Sequence, residues 1–154
     1  MKWIYGRQDW KTLERGLENC YLLTNGLGGF SSLTMTGAVA RNDHSVFMAC
    51  EKAPNHRINM IHRMKEELDI GESKYVFSTQ EFADGTKEEG YRYLTEFSFE
   101  TLPVWNYLIS GVEMEKEIVM EQGSNHIALN YHLKNRGQEE AVLCVTPFFQ
   151  FEPK

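Results

Sequence analysis

No window of the sequence holds the ~18 consecutive apolar residues of a membrane span. Nor does a charged-then-apolar leader open it, so neither a membrane nor a secretory route is expected. Cysteine is scarce: Cys20, Cys50 and Cys144 are odd in number and far apart. This argues against a disulfide framework and against a CxxC zinc site, and makes a reducing cytoplasm the expected compartment. Positive charge is short as well. With 16 Lys and Arg against 22 Asp and Glu, the net charge of −6 leaves little for a nucleic-acid surface. Internal repeats and low-complexity tracts are absent, and convincing helical periodicity is rare. No cofactor or metal is expected.

What is present suits one domain with a real core: 154 residues, 42% hydrophobic and 25% charged. The most distinctive stretch is Leu22–Phe30, LLTNGLGGF, in which Asn25 is followed by Gly26, Gly28 and Gly29. Such a cluster has a conformational task, because glycine tolerates positive φ and close approach of another backbone. It could cradle an anion with its N–H groups, which needs a strand before it and a helix after it. Instead, Ser31–Val39 alternates hydroxyl and apolar residues at a period of two, and the Lys and Ser/Thr of a P-loop are missing. A bend delivering one strand into the next is the favoured reading.

The remaining chain reads mostly as strands. Trp10, Leu13 and Leu17 give residues 1–19 a modest helical look, while Trp3–Tyr5 could form an edge strand. Arg41-Asn42-Asp43-His44 reads as a turn feeding a buried strand over Val46–Cys50. Arg57–Ile70 is divided between a strand and a helical turn at RMKEELDI. Tyr75–Phe77 reads as a strand, and Glu81–Gly90 as a loop with a turn at Asp84-Gly85. Beyond Tyr91 the pattern is clean: Phe97 and Phe99 alternate, Val104–Ile109 follows, and Ser110-Gly111 turns into Val112–Met120. In that last strand Val112, Met114, Ile118 and Met120 share one face. Glu113, Glu115 and Glu117 share the other, read as a solvated sheet face rather than a metal or acid–base row. His126 and His132 fall on one outer face, ~20 Å apart at strand rise, and read as surface residues. Ala141–Thr146 is an apolar strand, and Phe148, Phe149 and Phe151 continue it.

These segments predict an all-β, antiparallel β-sandwich with little helix, built from roughly eight to ten short strands with turns every ~8–12 residues. A chain ending on strand-like, Phe-rich sequence reads as part of something longer. Its exposed strand edges are then expected to support a homo-oligomer.

Four blocks carry a more specific signal: LLTNGLGGF, SSLTMTGAVARNDH, EGYRYLTEFSFETLPVW and EMEKEIVM. In order and spacing, from about Tyr21 to Phe151, they resemble the N-terminal domain of bacterial and archaeal glycogen debranching enzymes of the amylo-α-1,6-glucosidase type. The resemblance implies a galactose mutarotase-like super-sandwich, with residues 1–154 as a single β domain at the N-terminal end of a longer enzyme. A helical (α/α)6 domain downstream would carry the catalytic carboxylates, so no catalytic residue is expected here. The implied function is support of α-1,6 branch hydrolysis by that helical domain, with a glucan as a further partner. Where the family has an Arg-Arg-Tyr-His-Gly-Leu-type run, this chain has Arg41-Asn42-Asp43-His44-Ser45-Val46, matching only at Arg41 and His44. A free-standing carbohydrate-binding module and a purely structural sandwich are the alternatives.

Glycoside hydrolysis needs two carboxylates, ~5–5.5 Å apart for retention or ~6.5–9.5 Å for inversion, with a desolvated acid. Glu66, Glu67, Asp69, Glu113 and Glu115 lie in no stretch whose pattern implies such burial. Candidate substrate or domain contacts are Asn25, Gly26, Gly28, Gly29, Arg41, His44 and Trp105, with Tyr91 and Tyr93 as further aromatics. For each aromatic the alternative is core packing, and for Asn25 a role in forming the turn.

Overall fold

The computed structural model describes residues 1–154. It contains thirteen strands: β1 Trp3–Gly6, β2 Leu23–Thr24, β3 Phe30–Ser32, β4 Ser45–Lys52, β5 His56–Ile70, β6 Ser73–Val76, β7 Thr79–Glu81, β8 Lys87–Glu89, β9 Leu94–Phe99, β10 Pro103–Ile109, β11 Val112–Met120, β12 Ile127–Asn135 and β13 Ala141–Pro153. One sheet runs β1-β9-β10-β11-β12, and the other β13-β5-β4-β3-β2, with β6 also on β5 and a separate β7–β8 hairpin. Every pairing is antiparallel. The chain is an all-β sandwich, as expected.

The core is what period-two alternation produces when two sheets turn their apolar faces together. Phe97, Trp105, Tyr107, Ile109, Val112, Met114 and Ile118 from the first sheet meet Val46, Phe47, Leu68 and Ile70 from the second in one buried cluster. Ser110 and Gly111, both at positive φ, close the tight β10–β11 hairpin.

Several local expectations change. The ambiguous stretch at residues 57–70 is strand throughout: β5 takes β13 along one edge and β4, then β6, along the other. Tertiary pairing on both edges overrides the helical look of RMKEELDI. The segment after the glycine bend forms a strand only at residues 30–32, with one further isolated bridge between Thr34 and Cys20. It then curls, with the Thr34 hydroxyl accepting from the Ala38 N–H at 2.9 Å and facing the Thr36 hydroxyl at 3.1 Å. Such side chain–backbone bonds compete with a ladder, which is why the alternation misleads. Near the start, β1 forms the edge strand, and only Leu13–Gly16 is α-helical, after a 3-10 turn at Arg7–Trp10. The loop expected at residues 81–90 holds half of the β7–β8 hairpin, with Gly85 at φ +86°.

Candidate functional site

The glycine bend joins β2 to β3, and Asn25 organises it. Asn25 is wholly buried. Its Oδ1 accepts from the Leu27 and Gly29 N–H groups at 2.9 and 3.0 Å, closing the turn from within. Its Nδ2 donates to the Ser124 carbonyl at 2.8 Å and Asn125 Oδ1 at 3.1 Å, while its carbonyl accepts the Gly123 N–H at 2.7 Å. These partners sit in the β11–β12 turn, so one side chain latches the two sheets together at this end. Asn125 extends the latch, exchanging bonds with the Cys50 backbone at the end of β4.

The glycines are required by this geometry. Gly26 and Gly28 have φ of +80° and +97°, the left-handed region that side chains rarely occupy. A Cβ on Gly29 would lie 2.6 Å from Asn25 Nδ2 and 3.0 Å from the Met48 carbonyl. With the Leu27 and Gly29 N–H groups already given to Asn25, the turn is a strand-to-strand bend and not an anion cradle. Outside it, Leu22, Gly26, Gly28, Phe30 and Arg57 line an open cleft of about 390 Å³. Arg57 donates to the Gly28 carbonyl at 2.8 Å and lies over the Phe30 ring at 5.6 Å. Leu22 is 60% and Leu27 39% exposed, which makes this rim apolar as well as rigid.

Arg41 and His44 lie in the β3–β4 connection, apart from the glycine bend. The Arg41 guanidinium is exposed and donates to the Glu18 carbonyl at 3.1 Å and Cys20 Sγ at 3.4 Å. With His62, Phe82 and Gln150 it lines a cleft of about 610 Å³. His44 is absent from that lining and is only 3% exposed. Its Nδ1 accepts the Ala40 N–H at 3.0 Å, and its buried Nε2 has no partner. Burial first, and the Arg41 charge second, hold its pKa below the ordinary value. His44 therefore shapes the turn and Arg41 meets solvent.

The aromatic candidates divide likewise. Trp105 is fully buried and donates its indole N–H to the Met35 carbonyl at 2.9 Å. Packed edge-on to Tyr21 at 5.4 Å, it offers no ring face to a sugar, which corrects its candidacy as a surface residue. Tyr91 and Tyr93 are half-buried against the core: the Tyr91 hydroxyl donates to Glu89 at 3.2 Å, and Tyr93 meets Tyr75 edge-on at 6.0 Å.

Sequence reasoning missed one buried charge pair. Glu66 on β5, in a stretch whose pattern did not imply burial, is 2% exposed. Lys116 on β11 forms an ion pair with its Oε1, and the Tyr131 hydroxyl on β12 donates to the same oxygen at 2.5 Å. Lys116 also lies over the Trp105 ring at 5.1 Å. Burial first, then the Glu66 charge, pushes the Tyr131 hydroxyl far above its ordinary pKa. The signal was available: Lys116 falls on the same period-two face as Met114 and Ile118. With a cation and a hydroxyl on one oxygen, Glu66 is a structural anion clamped between sheets. Glu113, Glu115 and Glu117, as expected, alternate outward.

No group of three or more His, Cys, Asp or Glu side chains is arranged to hold a metal ion, and no helix is long and apolar enough to cross a membrane. A family model described as glycogen debranching enzyme N terminal matches residues 19–154 of the 154-residue chain. No curated protein and no solved structure matches it.

Proposed function

This chain belongs to the glycogen debranching enzyme N-terminal family, and from that premise we propose that it supports hydrolysis of α-1,6-glucosidic branch points by a helical (α/α)6 catalytic domain of the same parent protein. The observation that carries this reading is the latched glycine bend. Asn25 fixes it to both sheets, and its outer side presents Leu22, Leu27, bare glycine backbone and the Arg57 guanidinium. A rigid, partly apolar rim suits a partner surface at close range, because little ordering cost remains to be met on docking. The chain contributes contacts and not the reacting carboxylates: its buried acid, Glu66, is committed to Lys116 and Tyr131. A reducing cytoplasm suits its three unpaired cysteines.

A free-standing carbohydrate-binding module is the second reading, favoured by a polar cleft on the outer face of the five-stranded sheet. The test is glucose release from a branched limit dextrin by the chain, by a helical glucosidase domain of the family, and by the two mixed. The chain alone is expected to release none, and the mixture to exceed the helical domain alone. Glucose release by the chain alone, or a mixture no faster than the helical domain, would overturn the reading.

A further inference from the structure

The cleft of about 610 Å³ beside Arg41 also holds His62, whose ring is fixed by a line of polar side chains running in from β13. The Glu152 carboxylate can only accept, so Gln150 gives it Nε2 at 2.8 Å and turns Oε1 inward. Asn59, wholly buried on β5, donates Nδ2 to that Oε1 at 2.7 Å and to His62 Nδ1 at 3.2 Å. Its Oδ1 accepts from the Ser45 hydroxyl on β4 at 2.8 Å, and Ser45 is wholly buried too. An Nδ1 that accepts leaves the proton of the neutral imidazole on Nε2. The remaining ring nitrogen of His62 is therefore a donor.

Two cations share the cleft. Arg41 and Lys154 line it, and neither forms an ion pair. The side-chain bonds of Arg41 go to a carbonyl and a cysteine sulfur. Glu81, the one acid in the lining, pairs at 3.5 Å with Lys87, which is not part of that lining. Around His62 the cations also prevail. After burial, Lys154 and then Arg63 lower its pKa, and Glu152 raises it by less than either. On a chain of net charge −6, this is a local positive site.

We propose that this cleft binds a phosphate group, held by the Arg41 guanidinium, the His62 Nε2–H and the Lys154 ammonium. Arginine meets a phosphate as a planar fork and lysine as a point charge. A phosphate has oxygens enough for all three donors, whereas a neutral ligand would leave both charges unanswered. Leu17, Val39 and Phe82 line the same cleft and form an apolar wall for the carbon body of a phosphomonoester. The site stands apart from the glycine bend and depends neither on docking there nor on branch hydrolysis.

Calorimetric titration of the chain with inorganic phosphate and with phenyl phosphate, at matched ionic strength, tests the site. Both are expected to bind, and Arg41→Gln is expected to raise Kd at least tenfold, the worth of one charge-assisted contact. Lys134→Gln, on the outer face of β12, should stay within twofold. Tighter binding of phenyl phosphate assigns the site to an ester, and equal binding assigns it to the free ion. A second readout does not depend on any variant. A bound anion favours the charged imidazole, so the His62 ring protons should titrate at higher pH with phosphate than with chloride, while those of His126 do not move. No heat with either ligand, an unchanged Kd in Arg41→Gln, or a His62 titration that phosphate leaves in place would overturn the site.

Discussion

Asn25 closes the glycine bend and ties it to the facing β11–β12 turn through four side-chain hydrogen bonds. Replacing it with alanine strips acceptors from two N–H groups inside the turn and a donor from two acceptors in the facing turn. Unpartnered buried groups cost about 1–3 kcal/mol each, so Asn25→Ala is expected to lose about 2–4 kcal/mol in urea unfolding, after partial rehydration. A loss below about 1 kcal/mol would show that the sheets are held together elsewhere. Gly28→Val forces a β-branched residue to φ +97° with Cys50 Sγ 3.1 Å from its Cβ, and should cost about 2–4 kcal/mol by the same measurement.

His44 and His62 set an acid limb. Burial is the leading cause of a lowered pKa in both; Arg41 is the second cause for His44, and Lys154 and Arg63 add to it for His62. The unfolded chain takes up these protons near the ordinary 6.5, whereas the folded chain does so only at lower pH. The unfolded state thus binds more protons in that window, and stability falls as pH drops below about 6.5. The urea midpoint is expected to fall between about pH 7.5 and 5.5, and less steeply in His44→Gln. An equal fall in the variant would remove His44 as the cause.

At the scale of elements, β5 and β11 are tied by Glu66 and Lys116. Removing one partner leaves a buried charge, so Lys116→Met is expected to cost about 3–5 kcal/mol, while Lys116→Met with Glu66→Leu should recover most of that. A double variant as unstable as the single one would contradict the pairing. This scale was only half legible in the sequence. Strands with clean alternation, β9 to β12, were readable because one face is buried and the other wet. β5 was not, because both of its faces carry long amphipathic side chains: Arg63 is covered by Phe82 and Phe148 rings at 5.1 and 5.0 Å. Of the pair, Lys116 was legible, because its position between Met114 and Ile118 on the period-two face places it inward.

For the whole molecule, the sandwich is better closed on some sides than others. The edge strands β12 and β13 each pair on one side only, and the inward residues Ile127, Leu129, Tyr131 and Leu143 remain half-exposed. Phe149 and Phe151, stacked at 5.6 Å, are 58% and 60% exposed at the end of β13. Unpaired, apolar edges favour strand addition, so self-association is expected in sedimentation velocity as concentration rises; a monomer at every concentration would contradict it. The all-β class and the family were legible because alternation and the glycine block are local. The closure of the bend onto the β11–β12 turn was not, since it depends on contacts about a hundred residues apart.

The most direct measurement is the affinity of the chain for a helical catalytic domain of the family, compared with that of Leu27→Asp. Leu27 lies on the rim of the latched bend and outside the buried core, so the variant should keep its fold. If the bend is the docking face, the charged side chain weakens binding at least tenfold and glucose release from branched dextrin falls with it. Unchanged affinity in Leu27→Asp would contradict that role for the glycine bend.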